Sequence, residues 1–107
     1  MKKFIMGWLK LRPGTRDAFI QRSASYIDVC RKEPGCVFFD FSLSPFDPDV
    51  AMVMECFASG EAHDLHLTQP HFKKFWQELS EVCVEGTFEN IFADHVVPDT
   101  ARFGDAL

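Results

Sequence analysis

The chain has 107 residues, 47% of them hydrophobic and 25% charged, with a net charge of -5. That describes one folded domain, too short for a second core and too apolar for disorder. A negative balance without a basic stripe argues against nucleic acid and anionic membranes as partners, and no stretch approaches the roughly 20 apolar residues of a spanning helix.

The start, Met1-Lys2-Lys3 before the apolar Phe4–Leu9, has the outline of a secretion signal. Lys10 and Arg12 break that run early, so a cytoplasmic location is expected. Residues 3–12 instead suit a strand apolar on both faces, with Phe4, Met6 and Trp8 pointing one way and Ile5, Leu9 and Leu11 the other. After a Pro13-Gly14 turn, Thr15 is placed to cap a helix over about 16–33, with Asp17 in its first turn. Phe19, Ser23, Tyr26, Ile27 and Cys30 share one face of it, and Glu33-Pro34-Gly35 ends it.

Residues 36–44 alternate, with Val37, Phe39, Phe41 and Leu43 on one face, and residues 50–57 form a third strand joined to them as a hairpin. Ser59 can cap a short helix carrying Glu61, Ala62, Leu65 and His66. Pro70 suits the first turn of the next helix, where Phe72, Phe75, Trp76, Leu79, Val82 and Cys83 keep helical spacing as far as a stop at Glu85-Gly86. Residues 87–97 are predicted as the last strand. The domain then spans 1–97, and 98–107 forms a mostly polar tail.

The order β-α-β-β-α-β predicts an α+β, ferredoxin-like fold, with helices on one face of an antiparallel sheet. The strands are more apolar than a sheet with one wet face needs, so a second copy of the sheet is expected on the other face, giving a homodimer. Twelve Phe and two Trp call for a rich core plus a second buried surface, at an interface or a ligand pocket.

Arg12-Pro13-Gly14 followed by Phe19, then Glu33-Pro34-Gly35-Cys36, resembles the front half of the antibiotic biosynthesis monooxygenase (ABM) domain. Glu55, Ala62, His66 and Gln69-Pro70-His71-Phe72 running to Phe75 resemble its back half, so the likeness spans about 3–97. The resemblance implies a dimeric α+β barrel with a pocket between each sheet and its helices. Some members oxygenate phenols or quinols without metal or flavin, some degrade haem and some isomerise, so the fold leaves the reaction open. The positions that hold Asn, Trp and His in the haem-degrading branch hold Gly7, His66 and Trp76 here, so the resemblance does not imply haem cleavage.

Among single residues, His66 is the candidate catalytic base, because histidine titrates near neutrality; the resemblance puts it near the pocket mouth, and a local hydrogen-bonding role is the alternative. Glu55 interrupts an apolar strand and is either paired across the sheet or interface, or part of the site. Asp40 and Asn90 sit similarly in strands. Trp8, Phe72, Phe75 and Trp76 are core residues or walls for an aromatic substrate, and His71 lies at the pocket edge or in solvent.

His63 and His66 are three apart, but no third ligand stands at a metal-site spacing, and four cysteines without Cys-x-x-Cys suit buried free thiols; no metal or other cofactor is expected. The expected function is cofactor-independent oxygenation of a small phenol or quinol, with substrate contacts from Trp8, Glu55, His71, Phe72 and Trp76. The alternatives are an isomerase of small hydroxyketones and a non-catalytic ligand-binding or stress-response module.

Overall fold

A computed structural model describes residues 1–104. Its elements run β1 (Lys2–Leu11), α1 (Arg16–Arg31), β2 (Cys36–Leu43), β3 (Val50–Phe57), α2 (Gly60–Leu67), α3 (Pro70–Val82) and β4 (Cys83–Ala93). The sheet is antiparallel in the order β2-β3-β1-β4, so the ferredoxin-like α+β expectation holds. No helix among the described residues is long and apolar enough to cross a membrane. Of the tail over 98–107, residues 105–107 lie outside the described residues.

Strand alternation gives the sheet two faces. Phe39, Glu55, Ile5 and Asn90 pair across the four strands in one row, and Phe41, Val53, Gly7 and Phe88 in the next. These rows look toward the helices, where Ile5, Leu9, Leu11, Phe39 and Val53 are buried with Phe19, Tyr26 and Cys30 of α1 and Phe75 and Val82 of α3. Burial of each large apolar side chain is worth about 1.5–3 kcal/mol. On the opposite face stand Phe4, Met6 and Trp8 with Met52 and Met54, of which Met54 remains 49% exposed. The short dimension of the molecule, 22 Å, is that of one sheet and one helix layer (~10 Å each).

Several local expectations change. Thr15 precedes α1 without capping it; its hydroxyl points at the carbonyls of Arg12, 2.6 Å away, and Val82, 3.1 Å away. Ser59 does cap α2, accepting from the Ala62 N–H at 3.1 Å. Val37 leaves the Phe39 face, because the pairing of β2 with β3 slips between Cys36 and Phe38 and turns it to the exposed side. On α2 the buried residues are His63 and His66, and Leu65 is exposed.

The last strand begins at Cys83 rather than 87 and ends at Ala93, leaving Val96 and Val97 exposed beyond it. Glu85-Gly86 is therefore not a helix stop. Gly86 pairs with Leu9, and an added Cβ would stand 2.8 Å from the Leu9 side chain. All four cysteines are free thiols, Cys30 and Cys56 buried and Cys36 and Cys83 half-buried.

Gly7 is the tightest point of the sheet, since a Cβ there would overlap the carbonyl oxygen of Thr87 on β4. Gly7→Ala is expected to cost about 1–3 kcal/mol through forced backbone displacement. A urea-unfolding midpoint unchanged from wild type would show that β4 can yield.

Candidate functional site

The site grows from the end of α1. The buried stripe of that helix, Phe19, Ser23, Tyr26 and Cys30, continues one turn further to Glu33, whose N–H bonds the Cys30 carbonyl at 3.1 Å. Gly35 then takes a positive φ of 80°, and a Cβ on it would lie 2.6 Å from that of Ala62. Glycine thus lets α2 settle directly on the turn and brings its histidines over Glu33.

The Glu33 carboxylate lies between two imidazoles. His66 Nδ1 is 2.9 and 3.0 Å from its two oxygens, and His71 Nε2, in the first turn of α3, is 2.5 Å away. A carboxylate only accepts, so both rings donate. His66 therefore carries its proton on Nδ1, and the lone pair of Nε2 accepts from the Tyr26 hydroxyl, 3.5 Å away. The His66 side chain is 2% exposed; burial lowers its pKa, and the bond to Glu33 opposes that shift.

Beside this group, between sheet and helices, lies a cavity of about 210 Å³, somewhat larger than the ~150 Å³ cavities that hold benzene. Its polar wall comprises Tyr26, Glu55, His63, His66 and Asn90; Leu9, Val53, Phe75, Trp76, Leu79 and Phe88 are among its apolar lining. Tyr26 stacks flat on Phe75, ring centroids 3.9 Å apart, and burial raises its phenol pKa.

Glu55 projects from β3 on the helix side, 8% exposed, and no hydrogen bond or ion pair holds its carboxyl among the described residues. Burial, reinforced by the charge of Glu33 and opposed by Lys3, pushes its pKa up to about 8. His63 behaves oppositely. Burial and then Lys3 lower its pKa to about 4, and its Nδ1 accepts from the Lys3 ammonium at 2.8 Å.

His66, Glu55, Phe72 and Trp76 thus meet around one cavity, joined by Phe75 and Asn90. His71 reaches the group through Glu33 and is not on the cavity wall. Trp8 must be withdrawn from the site: strand alternation sends it to the opposite face of the sheet, away from the lining. Asp40 also faces away, paired with Arg31 at 3.3 Å.

The set whose geometry could hold a cation is not the one suggested by His63 and His66. It is Cys30, Glu33, His66 and His71, whose ligand atoms lie within 4.8 Å of one another. As arranged, Glu33 takes a hydrogen bond from each imidazole, and burial raises the pKa of the Cys30 thiol. Glu33 is the residue that sequence reasoning missed. The available signal was its place on the continued stripe, three residues after Cys30.

The two shifted groups act on stability in opposite directions. Glu55 keeps its proton in the folded chain between 4.5 and about 8, where the unfolded chain has lost it, so stability falls as pH rises through that window. His63 stays neutral between 6.5 and about 4, where the unfolded chain gains a proton, so stability falls as pH drops through that window. Glu55→Gln should flatten the alkaline loss, its melting temperature gaining on wild type from pH 4.5 up to about 8 and no further. Parallel Tm curves would refute the assignment.

With this geometry in hand, comparison with known proteins places the chain. The family model for antibiotic biosynthesis monooxygenase matches residues 4–78. The structure of Rv0793 from Mycobacterium tuberculosis is similar with a TM-score of 0.82 at 20% identity, covering 92% of this chain and 100% of that one. A candidate antibiotic biosynthesis monooxygenase from Deinococcus radiodurans gives 0.84 at 16% identity, covering 92% and 99%. The uncharacterized protein sll1783 of Synechocystis sp. is 28% identical over 76% of this chain, which spans 55% of that relative's length. The structural likenesses establish the fold, and the family match, over most of the chain, establishes membership: the chain belongs to the antibiotic biosynthesis monooxygenase family.

Proposed function

We propose that this chain oxygenates a small phenol or quinol without a cofactor, with His66 as the base. The observation that carries the reading is the Glu33–His66 hydrogen bond, which fixes the proton on Nδ1 and leaves Nε2 basic beside the cavity. A carboxylate that orients an imidazole and steadies its cationic form is a recurrent way of making a general base.

In this scheme Nε2 takes the phenolic proton, and the resulting electron-rich carbon forms a C–O bond with dioxygen. Loss of water from the hydroperoxide leaves a carbonyl. The substrate SH2 and O2 become SO and H2O, with every electron drawn from the substrate. The aromatic walls contribute position and exclusion of water.

The polar groups on the wall weigh against the alternative of a non-catalytic module, which needs none. The presence of both Glu55 and His66 also favours a second reading, enolisation of a hydroxyketone; turnover under nitrogen separates the two. In an oxygen electrode, hydroquinone, 1-naphthol or 1,4-dihydroxynaphthalene should drive uptake that EDTA leaves unchanged. His66→Ala should lower kcat by about 10²–10⁴. Absence of uptake across the panel, or an unaffected His66→Ala rate, removes the oxygenase; loss with EDTA and rescue by a divalent metal moves the chemistry to the Cys30–Glu33–His66–His71 set.

The reading includes a homodimer, supported by the uncovered apolar row of Met6, Trp8, Met52 and Met54. Light scattering should give twice the chain mass, and Met54→Lys, which puts an unpaired charge in that row, should halve it. A monomeric wild type ends this part of the proposal.

A further inference from the structure

Resting on that reading of the cavity, we infer that Glu55 and Asn90 form a subsite for neutral oxygen, one that admits uncharged phenols and ketones and rejects carboxylates and phosphates. Both residues are cross-strand partners of Ile5, one on each side of it, and both line the cavity. The Asn90 amide offers a donor and an acceptor. A protonated Glu55 offers an O–H donor and a carbonyl acceptor. A neutral hydroxyl or carbonyl can use the donors and acceptors of both groups, whereas an anion uses only the donors and brings a charge that needs a cation to balance it.

No lysine or arginine lines the cavity. The groups around Glu55 are Lys3 on β1, His63 and His66 on α2, and Tyr26, Cys30 and Glu33 on or just after α1. Lys3 is committed to His63 and to the face of Phe92, 5.2 Å from its centroid. Glu33 raises the Glu55 pKa more than Lys3 lowers it, so the local field resists a second negative charge.

A substrate carboxylate would lose its water and meet that field inside an apolar wall, where charge interactions are strong. A phenol enters neutral instead. Its negative charge appears only as His66 takes the proton, and is balanced at once by the imidazolium. The same selection rules against phosphorylated ketones as substrates on this chain.

Calorimetric titration under nitrogen, where the phenol cannot be oxygenated, with 1-naphthol, 1-tetralone and 1-naphthoate, which share one fused bicyclic carbon skeleton, tests the subsite at about pH 6.5. The neutral pair should bind at least about tenfold more tightly than the carboxylate. Tetralone affinity should hold steady up to about pH 8 and fall beyond it as Glu55 ionises. Glu55→Gln, isosteric and uncharged, should abolish that fall, and Asn90→Ala should weaken both neutral ligands.

Equal binding of 1-naphthoate overturns the inference, as does the same alkaline fall in Glu55→Gln, unaltered binding in Asn90→Ala, or no binding by any of the three. These outcomes are independent of turnover. Selective binding without oxygen uptake would remove the oxygenase and leave the subsite. Oxygen uptake by a protein indifferent to ligand charge would do the reverse.

Discussion

The carboxylate of Glu33 is the constraint on which the arrangement depends. A carboxylate only 9% exposed is tolerable because two imidazoles donate to it. Those imidazoles come from α2 and from the first turn of α3, whereas Glu33 lies just beyond the end of α1. One anion therefore ties together the ends of three helices. It also decides which nitrogen of His66 is basic. The group that organises the fold at this end thus specifies the tautomer on which any proton transfer by His66 depends.

The cavity follows from what the sheet leaves out beneath the helices. Gly7 contributes no side chain to the floor, and Ile5, Leu9, Val53 and Phe88, which surround it in the pleat, all line the cavity. The close approach of β4 forbids a side chain at Gly7. Polar atoms gather near α2 and in the sheet row of Glu55 and Asn90, and the space toward α3 and Phe88 is walled by carbon. A ligand with one oxygen-bearing end and an aromatic body matches both regions.

Much of this was legible in the sequence, because periodicity reports burial. The alternation of β1 divided its two faces correctly without saying which one meets the helices, and the stripe on α1 and the amphipathic repeat on α3 marked their buried sides. The failures arose where backbone irregularity or tertiary packing overrode pattern. Val37 was displaced by a slip in strand pairing that no alternation count could register, and Cys83–Gly86 became strand because Leu11 and Leu9 accept them as partners. Trp8 was assigned to the site on aromatic character although its strand parity already opposed Ile5 and Leu9. Glu33 was hidden by its neighbours: in Glu-Pro-Gly the local signal for ending a helix is so strong that a second role is easily overlooked.

Family membership alone does not select among the reactions this fold supports, but the packing here narrows them. The haem-degrading branch places an asparagine in the first strand, at the position held by Gly7, where even a methyl group would strike the Thr87 carbonyl. Its histidine position is occupied by Trp76, which lies half-exposed on the cavity lining with its ring 5.6 Å from that of Phe72 and 5.9 Å from that of Phe88. The imidazole is found instead at His66 on α2, packed against Phe72 and bound to a carboxylate. An imidazole on α2 rather than α3 puts the titratable ring at the polar end of the cavity, by Tyr26 and Glu33, and leaves the α3 side as an aromatic wall.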